Sequence, residues 1–209
     1  MVQTYPIAET VTTLIEAESK FGLTLSSQPD FFWEWSVDLP KLTESEQIRL
    51  DLIKQRYQYH RKYGQLAEST VNAIIISPLL ELAGFFDPPF RLRSEVSVKF
   101  EVEDKDEILR GRIDSLVVLD RLWVLLVESK QTSFNMDMAL PQALAYMMTT
   151  PDPKQPTYGL VTNGAYFMFL KLSLKARSQY AISSDFSLYR QCNELWDVLK
   201  ILKHIGQRI

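Results

Sequence analysis

The chain has 209 residues, enough for one packed domain and short for two. Its composition, 46% hydrophobic and 23% charged, is that of an ordinary globular protein rather than a disordered or fibrous one. A formal net charge of −3 argues against a protein that coats nucleic acid over a broad basic surface, but leaves room for a local basic groove.

In chain order, residues 8–21 pattern as a helix, with Val11, Leu14, Ile15 and Phe21 as its apolar positions. The segment from Gln28 to Val37 is dense in aromatics: Phe31, Phe32, Trp33 and Trp35. They can pack an N-terminal arm on the core or stack on bases, and packing is the expectation. Thr43-Glu-Ser-Glu46 forms a capping-box pattern, so a helix is expected from there to about Tyr63. A second helix is expected from Ala67 to about Leu82, kinked or broken at Pro78 and ended by Gly84.

The period then changes. Residues 91–102, 108–119 and 122–128 are rich in β-branched and aromatic residues, with turns at 103–106 and at Asp120-Arg121. Three strands joined so closely predict an antiparallel meander. A helix follows from about Pro141 to Met148. Strands at 158–162 and 166–172 flank the Asn163-Gly164 turn. A long amphipathic helix is expected over 185–205, from Leu188, Cys192, Leu195, Leu199 and Leu202. The sum is a mixed α/β sandwich. Residues 1–65 are expected to form a helical arm packed on a core of residues 66–209, one compact unit overall.

Several chemistries are poorly supplied. One cysteine, Cys192, and two histidines, His60 and His204, exclude an internal disulfide and disfavour structural zinc or a Cys-His nucleophile. There is no G-x-x-x-x-G-K-[ST] run for a P-loop motor, and no dinucleotide fingerprint. No run approaches the ~20 apolar residues of a membrane span. The first residues do not pattern as a signal peptide. A cytoplasmic protein without a membrane partner is the expectation, its chemistry resting on carboxylates, lysine and a metal.

Two charged features interrupt apolar strands. Gly111-Arg-Ile-Asp114 precedes Ser-Leu-Val-Val-Leu, and Glu128-Ser-Lys130 follows Leu-Trp-Val-Leu-Leu-Val. A carboxylate in a buried strand is costly unless it is paired or holds a metal. Strand alternation gives Glu128 and Lys130 one face, and a hairpin through Asp120-Arg121 brings Asp114 level with Glu128. Such oxygen ligands suit Mg²⁺ or Mn²⁺. The simpler alternative is a set of strand-end ion pairs, Glu128 with Lys130 or Asp114 with Arg112. Gln142 and Tyr146, four apart, share a face of the next helix.

The ordered set Gly111-x-x-Asp114, Glu128-x-Lys130, Gln142-x-x-x-Tyr146 and Val161-Thr-Asn-Gly164 resembles the nuclease domain of the R subunit of type I restriction enzymes, a branch of the PD-(D/E)XK superfamily. Glu68, opening a helix that reaches Ser77-Pro-Leu-Leu80 and Gly84-Phe, is similar to that family's first core helix. The resemblance covers roughly residues 66–172, and the longer pattern looks like stand-alone bacterial proteins of that kind, with no motor domain. It implies a restriction-endonuclease-like three-layer core of helix, three-strand antiparallel meander, helix and strand, with extra N- and C-terminal helices. It also implies that Asp114 and Glu128 bind Mg²⁺ or Mn²⁺, that Glu68 approaches the metal, and that Lys130, Gln142 and Tyr146 complete the catalytic set. For Glu68, a helix-start carboxylate complementing the dipole is the simpler alternative.

Arg110 and Arg112 lie on the same strand as Asp114 and are the expected phosphate contacts, Arg112 the better placed. A second basic run, Lys54, Arg56, His60, Arg61 and Lys62, is interleaved with tyrosines. It can contact phosphates, but a solvated helix face partly balanced by Glu44, Glu46 and Asp51 is the expectation. The expected function is a metal-dependent endonuclease that hydrolyses DNA in restriction or defence. The alternative is a nuclease-fold binding module that partners a modification or motor subunit without cutting. DNA, such subunits and a second copy of the chain are the candidate partners, and the C-terminal helix can pack on its own sheet or on that second copy.

Overall fold

A computed structural model of the chain describes residues 3–102, 107–119, 122–129, 131–133, 135–175 and 177–208. The N-terminal elements are β1 (Gln3–Pro6), α1 (Ile7–Thr10), α2 (Leu14–Phe21), β2 (Thr24–Leu25), a 3₁₀ turn (Trp33–Trp35) and α3 (Glu44–Arg61). A helical stretch follows as α4 (Glu68–Val71), a π turn (Asn72–Ile76) and α5 (Ser77–Leu82). Next come β3 (Phe90–Val102), β4 (Glu107–Leu119), β5 (Leu122–Ser129) and α6 (Met136–Met147). The chain closes with β6 (Thr157–Thr162), β7 (Tyr166–Ser173), β8 (Gln179–Ile182), β9 (Phe186–Ser187) and α7 (Leu195–Gln207).

The capping box at α3 forms. Thr43 Oγ1 accepts from Glu46 N at 3.2 Å, and the Glu46 carboxylate accepts from Thr43 N at 2.7 Å. Thr13 and Glu16 make a second one at α2, and so the stretch 8–21 is two helices rather than one. Pro78 does not break the second helix. Its ring would crowd the carbonyl four residues back, and the π turn ending at Ile76 widens the helix just before it. Gly84 ends the stretch with φ of 86°. Helix α6 starts at Met136 rather than Pro141, capped by Asn135 Oδ1 accepting from Asp137 N. Its interior Pro141 is tolerated because the helix is buried along most of its length, so packing outweighs one lost backbone bond. The expected helix over 185–205 is corrected: Phe186–Ser187 pair with β7, and α7 begins only at Leu195.

The fold is mixed α/β. Among the described residues the strands form one nine-stranded sheet in the order β1-β4-β5-β6-β7-β8-β2, with β3 also on β4 and β9 also on β7. β3, β4 and β5 are the expected antiparallel meander. β5 and β6 are parallel, and α6 is the crossover that such a pair requires. The N-terminal 65 residues are more than a helical arm, because β1 pairs with β4 and β2 with β8 in this same sheet.

Side-chain alternation divides the core into two layers. Leu160, Phe167 and Phe169 face α3, α5 and α7, while Val161, Leu170 and Leu172 face α1, α2 and α6. The aromatic segment after β2 belongs to the first layer. Phe32 is buried there, and Phe31 and Trp35 pack against it.

This segment also carries a buried charge. Glu34 Oε1 accepts from Lys171 Nζ at 2.5 Å and from the Tyr158 hydroxyl at 2.8 Å, and Lys171 Nζ also donates to Phe31 O. Burial, then the neighbouring Glu34 carboxylate, push the Tyr158 phenol up, so it stays a donor. The pair pins the arm to β6 and β7. Removing one partner of a buried ion pair costs about 3–5 kcal/mol, whereas replacing both by apolar groups costs far less. Lys171→Ala is therefore expected to lower urea stability by about that amount. The double variant Glu34→Leu/Lys171→Met should recover much of the loss. A double variant no more stable than Lys171→Ala would show that the pair does not act as a unit.

Candidate active-site cleft

Strand β4 is the strand on which the candidate residues depend. One of its edges is taken by β3 along nearly its whole length. The other is shared: β1 pairs with residues 107–110, and β5 pairs from Ser115 to Leu119. Between those ladders, residues 111–114 make no strand pairing on that edge among the described residues, although β5 runs on to Ser129. The ladder is interrupted over the stretch Gly111-Arg-Ile-Asp114.

Two distortions accompany this opening. Leu109 and Ile113 face the α6 layer, and so do Leu116 and Val118, so the alternation slips by one between Ile113 and Leu116. Asp114 and Ser115 occupy the slip, and both line a cleft on the α4–α5 side. Across from them on β3, Glu95 has φ of 53°. A non-glycine residue held there costs about 1–3 kcal/mol, a kind of strain found often at functional sites.

The cleft has a volume of about 410 Å³ and brings Asp114 together with Glu68, Asn72, Ser77, Glu95 and Arg112. Glu68 opens α4, and Asn72 opens the π turn. The position of α4 is fixed from two sides. Thr132 N donates to Leu66 O at 3.2 Å and Leu66 N donates to Thr132 Oγ1 at 3.1 Å, tying the entry to α4 to the segment after β5. Gly164, with φ of 80°, sits under α4 so closely that a Cβ there would stand 2.9 Å from Val71 Cγ2. The Asn163-Gly164 turn thus seats the helix that presents Glu68.

Glu128 is fully buried in β5. The last rung between β4 and β5 is Ser115↔Val127, so Asp114 and Glu128 are the first residues beyond it, level with each other. They do not project from one face. Glu128 pairs in register with Val161, which packs in the α6 layer, whereas Asp114 lines the cleft on the other side. The expectation of two carboxylates side by side on one sheet face is corrected to two carboxylates bordering one opening in the sheet, approached from its two layers. Lys130 lies outside the described residues. Among the described residues no three acidic, histidine or cysteine side chains form a metal-holding group.

Gln142 and Tyr146 are buried in the α6 layer and bonded to each other, Gln142 Nε2 donating to the Tyr146 hydroxyl at 2.6 Å. The tyrosine ring lies on the backbone of β4 at the opening: a Cβ at Gly111 would stand 2.3 Å from Tyr146 Cε1. They face the sheet, not solvent, but from the layer opposite the Glu68 cleft.

Arg112 borders the cleft and lies 3.6 Å from Glu95, both side chains well exposed. Arg110 is exposed, two residues back. Of the α3 basic run, Lys54 donates to the carbonyls of Arg190 and Cys192, and Arg61 stacks over the Tyr189 ring at 4.3 Å. These two residues anchor the chain before α7.

No family model matches the sequence. No curated protein matches it either. Among solved structures the chain is similar to "The fragment structure of a putative HsdR subunit of a type I restriction enzyme from Vibrio vulnificus YJ016". The two share 16% identity with a TM-score of 0.42, over 59% of this chain and 24% of that one. A likeness at that level decides neither fold nor activity.

Asn72, Ser77 and Glu95 are cleft residues that sequence reasoning did not single out. Ser77 was legible as the residue before Pro78, but the π turn that begins at Asn72 leaves no residue pattern. Gly111 did carry a signal, since a glycine inside a β-branched strand marks a close backbone approach. Gly111→Ala is expected to cost about 1–3 kcal/mol by overpacking against the Tyr146 ring. In a Tyr146→Ala background the same change should cost much less, because the clashing ring is gone. Strictly additive denaturation energies would remove this contact as the reason for the glycine.

Proposed function

We propose that the chain is a metal-dependent nuclease that hydrolyses phosphodiester bonds of DNA, a function fitting restriction or defence. The observation that carries this reading is the cleft at the open edge of β4, where Asp114 stands with Glu68 and Arg112 and the buried Glu128 borders the same opening. The donor set fits a magnesium or manganese ion. Mg²⁺ keeps several of its waters and is held through one or two carboxylates rather than a full protein cage, so a three-acid cluster is not required. Glu68 and Asp114 would hold it from the cleft; Glu128, level with Asp114 but facing the α6 layer, would join them only through the gap at the end of the β4–β5 ladder. When bound, such an ion polarises the scissile phosphate and acidifies a water.

The remaining roles belong to the chain. Arg112, at the mouth, offers its guanidinium to a phosphate oxygen, with Glu95 as its partner when no substrate is present. Arg110 extends the same exposed edge for a neighbouring phosphate. Lys130 orients the attacking water or offsets charge on the phosphorus as it becomes five-coordinate. Tyr146 and Gln142 hold β4 at the opening through the Gly111 contact, which sets the position of Asp114 three residues on. Modification or motor subunits and a second copy of the chain remain candidate partners in this reading.

Purified protein is expected to nick or cut DNA with Mg²⁺ or Mn²⁺ and to stop with EDTA. Asp114→Asn should lose both metal binding, read by calorimetry with Mn²⁺, and cleavage. Lys130→Ala should keep metal binding and lose at least 10²-fold in turnover, since it removes positioning and charge stabilisation but no ligand. Glu128→Gln separates the two carboxylates: a ligand role predicts weakened Mn²⁺ binding, and unchanged binding would confine Glu128 to a structural part. Folded protein that binds Mn²⁺ but cuts neither duplex nor single strands would instead support a binding module that leaves cleavage to another subunit.

A further inference from the structure

A second and larger groove lies along the same strand. It has a volume of about 840 Å³, and its walls include Phe86, Phe90, Trp123, Arg91, Arg93 and Leu92. Its composition differs from that of the Glu68 cleft: its described lining residues include three aromatic rings and two arginines, and no carboxylate. Phe86 is 45% exposed, unusual for a phenylalanine, and Arg91 and Arg93 are both exposed. Phe90 is held edge-on against the buried Phe85, ring centroids 5.2 Å apart, so this wall is rigid. Trp123 sits where the pairing of β4 with β5 shifts register, opposite Val118.

The two grooves share Leu92. They are consecutive stretches of β3, which pairs only with β4 among the described residues and so presents its other edge to solvent. From Arg91 to Glu95 the strand advances about 13 Å at the usual rise per residue. Trp123 and Val118 pack with the α6 layer and Phe90 and Leu92 with the opposite one, so the groove wraps the free edge of β3, and a chain following it would turn over that edge to reach Asp114 and Arg112.

We propose that this groove binds a single-stranded nucleic-acid segment, such as a tail or frayed end, and leads it along β3 to the Glu68–Asp114 cleft. Unpaired bases expose the flat faces that Trp123, Phe86 and Phe90 can stack on, while Arg91 and Arg93 meet the phosphates. A blunt duplex keeps its base faces stacked internally and offers this groove only phosphates. The delivery step rests on the nuclease reading; the binding step does not.

Fluorescence anisotropy with EDTA present tests the binding alone. Wild-type protein is expected to bind a duplex with a single-stranded tail about tenfold more tightly than the same duplex blunt-ended, an advantage that one or two stacked bases supply. Trp123→Ala should abolish most of that advantage. Because Trp123 is partly buried and its loss can perturb the fold, Phe86→Ala and Arg93→Glu serve as independent variants, each expected to reduce the preference several-fold with unchanged thermal melts. Titration with a short oligothymidylate should quench tryptophan fluorescence, and Trp123→Phe should remove most of the quench. Equal binding of tailed and blunt duplexes, or folded variants that retain the full preference, would overturn the proposal while leaving the nuclease reading intact. Thymidine monophosphate binding as tightly as the oligonucleotide would overturn it in favour of a mononucleotide pocket. Tail binding that persists in a protein with no metal-dependent cleavage would instead count against the nuclease reading alone.

Discussion

A strand inside a sheet normally satisfies its backbone on both edges, and β4 does so with different partners on one of them. β1 covers its start in parallel and β5 its end in antiparallel fashion. Two strands arriving from opposite directions on one edge leave a gap unless their ends abut, and here four residues lie between them. That gap is the constraint on which the candidate site depends. It lies beside Gly111, whose missing side chain lets the Tyr146 ring rest on the strand's face, it accompanies the slip in alternation at Asp114, and it ends the β4–β5 ladder just short of Glu128. The same residues in an unbroken sheet would be covered by backbone on both sides.

The helices around the opening are placed by contacts that are individually small and act together. α4 is held by the Leu66–Thr132 bonds and by the glycine turn beneath it. Its continuation passes through a π turn before Pro78 without ending, and Asn72 and Ala73 in that turn line the cleft. α6 is held from the other layer by nearly complete burial and by the Gln142–Tyr146 bond. An opening between two rigid layers can present donors from both with little reorganisation, which is what stabilising a developing charge demands.

Much of the central fold was legible because it rests on local signals. Charged stretches at 103–106 and 120–121, which lie outside the described residues, separate three β-branched runs in the sequence, and the capping box at Thr43 marks α3. The strands that escaped notice, β1, β2 and β8, are short and have no pattern of their own; they exist because a longer strand offers them an edge. The expected start of the last helix was wrong for a related reason. Leu188 and Cys192 fall at helical spacing by coincidence, while Phe186 and Ser187 pair with β7 and Lys54 holds the carbonyls that follow. Tertiary pairing overrode periodicity there.

For the site, the residue types were legible and their sides were not. Asp114 and Glu128 stand out because a carboxylate in an apolar strand needs a reason, and simple alternation put them on one face. Alternation holds only where pairing is regular, and the strand is irregular at Asp114: Glu95 opposite it is left-handed, and the faces exchange between Ile113 and Leu116. A glycine three residues before a buried-strand aspartate was the available hint that regular geometry would fail nearby. The irregularity is also what makes the cleft accessible, since a carboxylate on a regular central strand would lie beneath a helix. The departure from the simple strand pattern and the candidate chemistry therefore have one physical origin, the unfilled edge of β4.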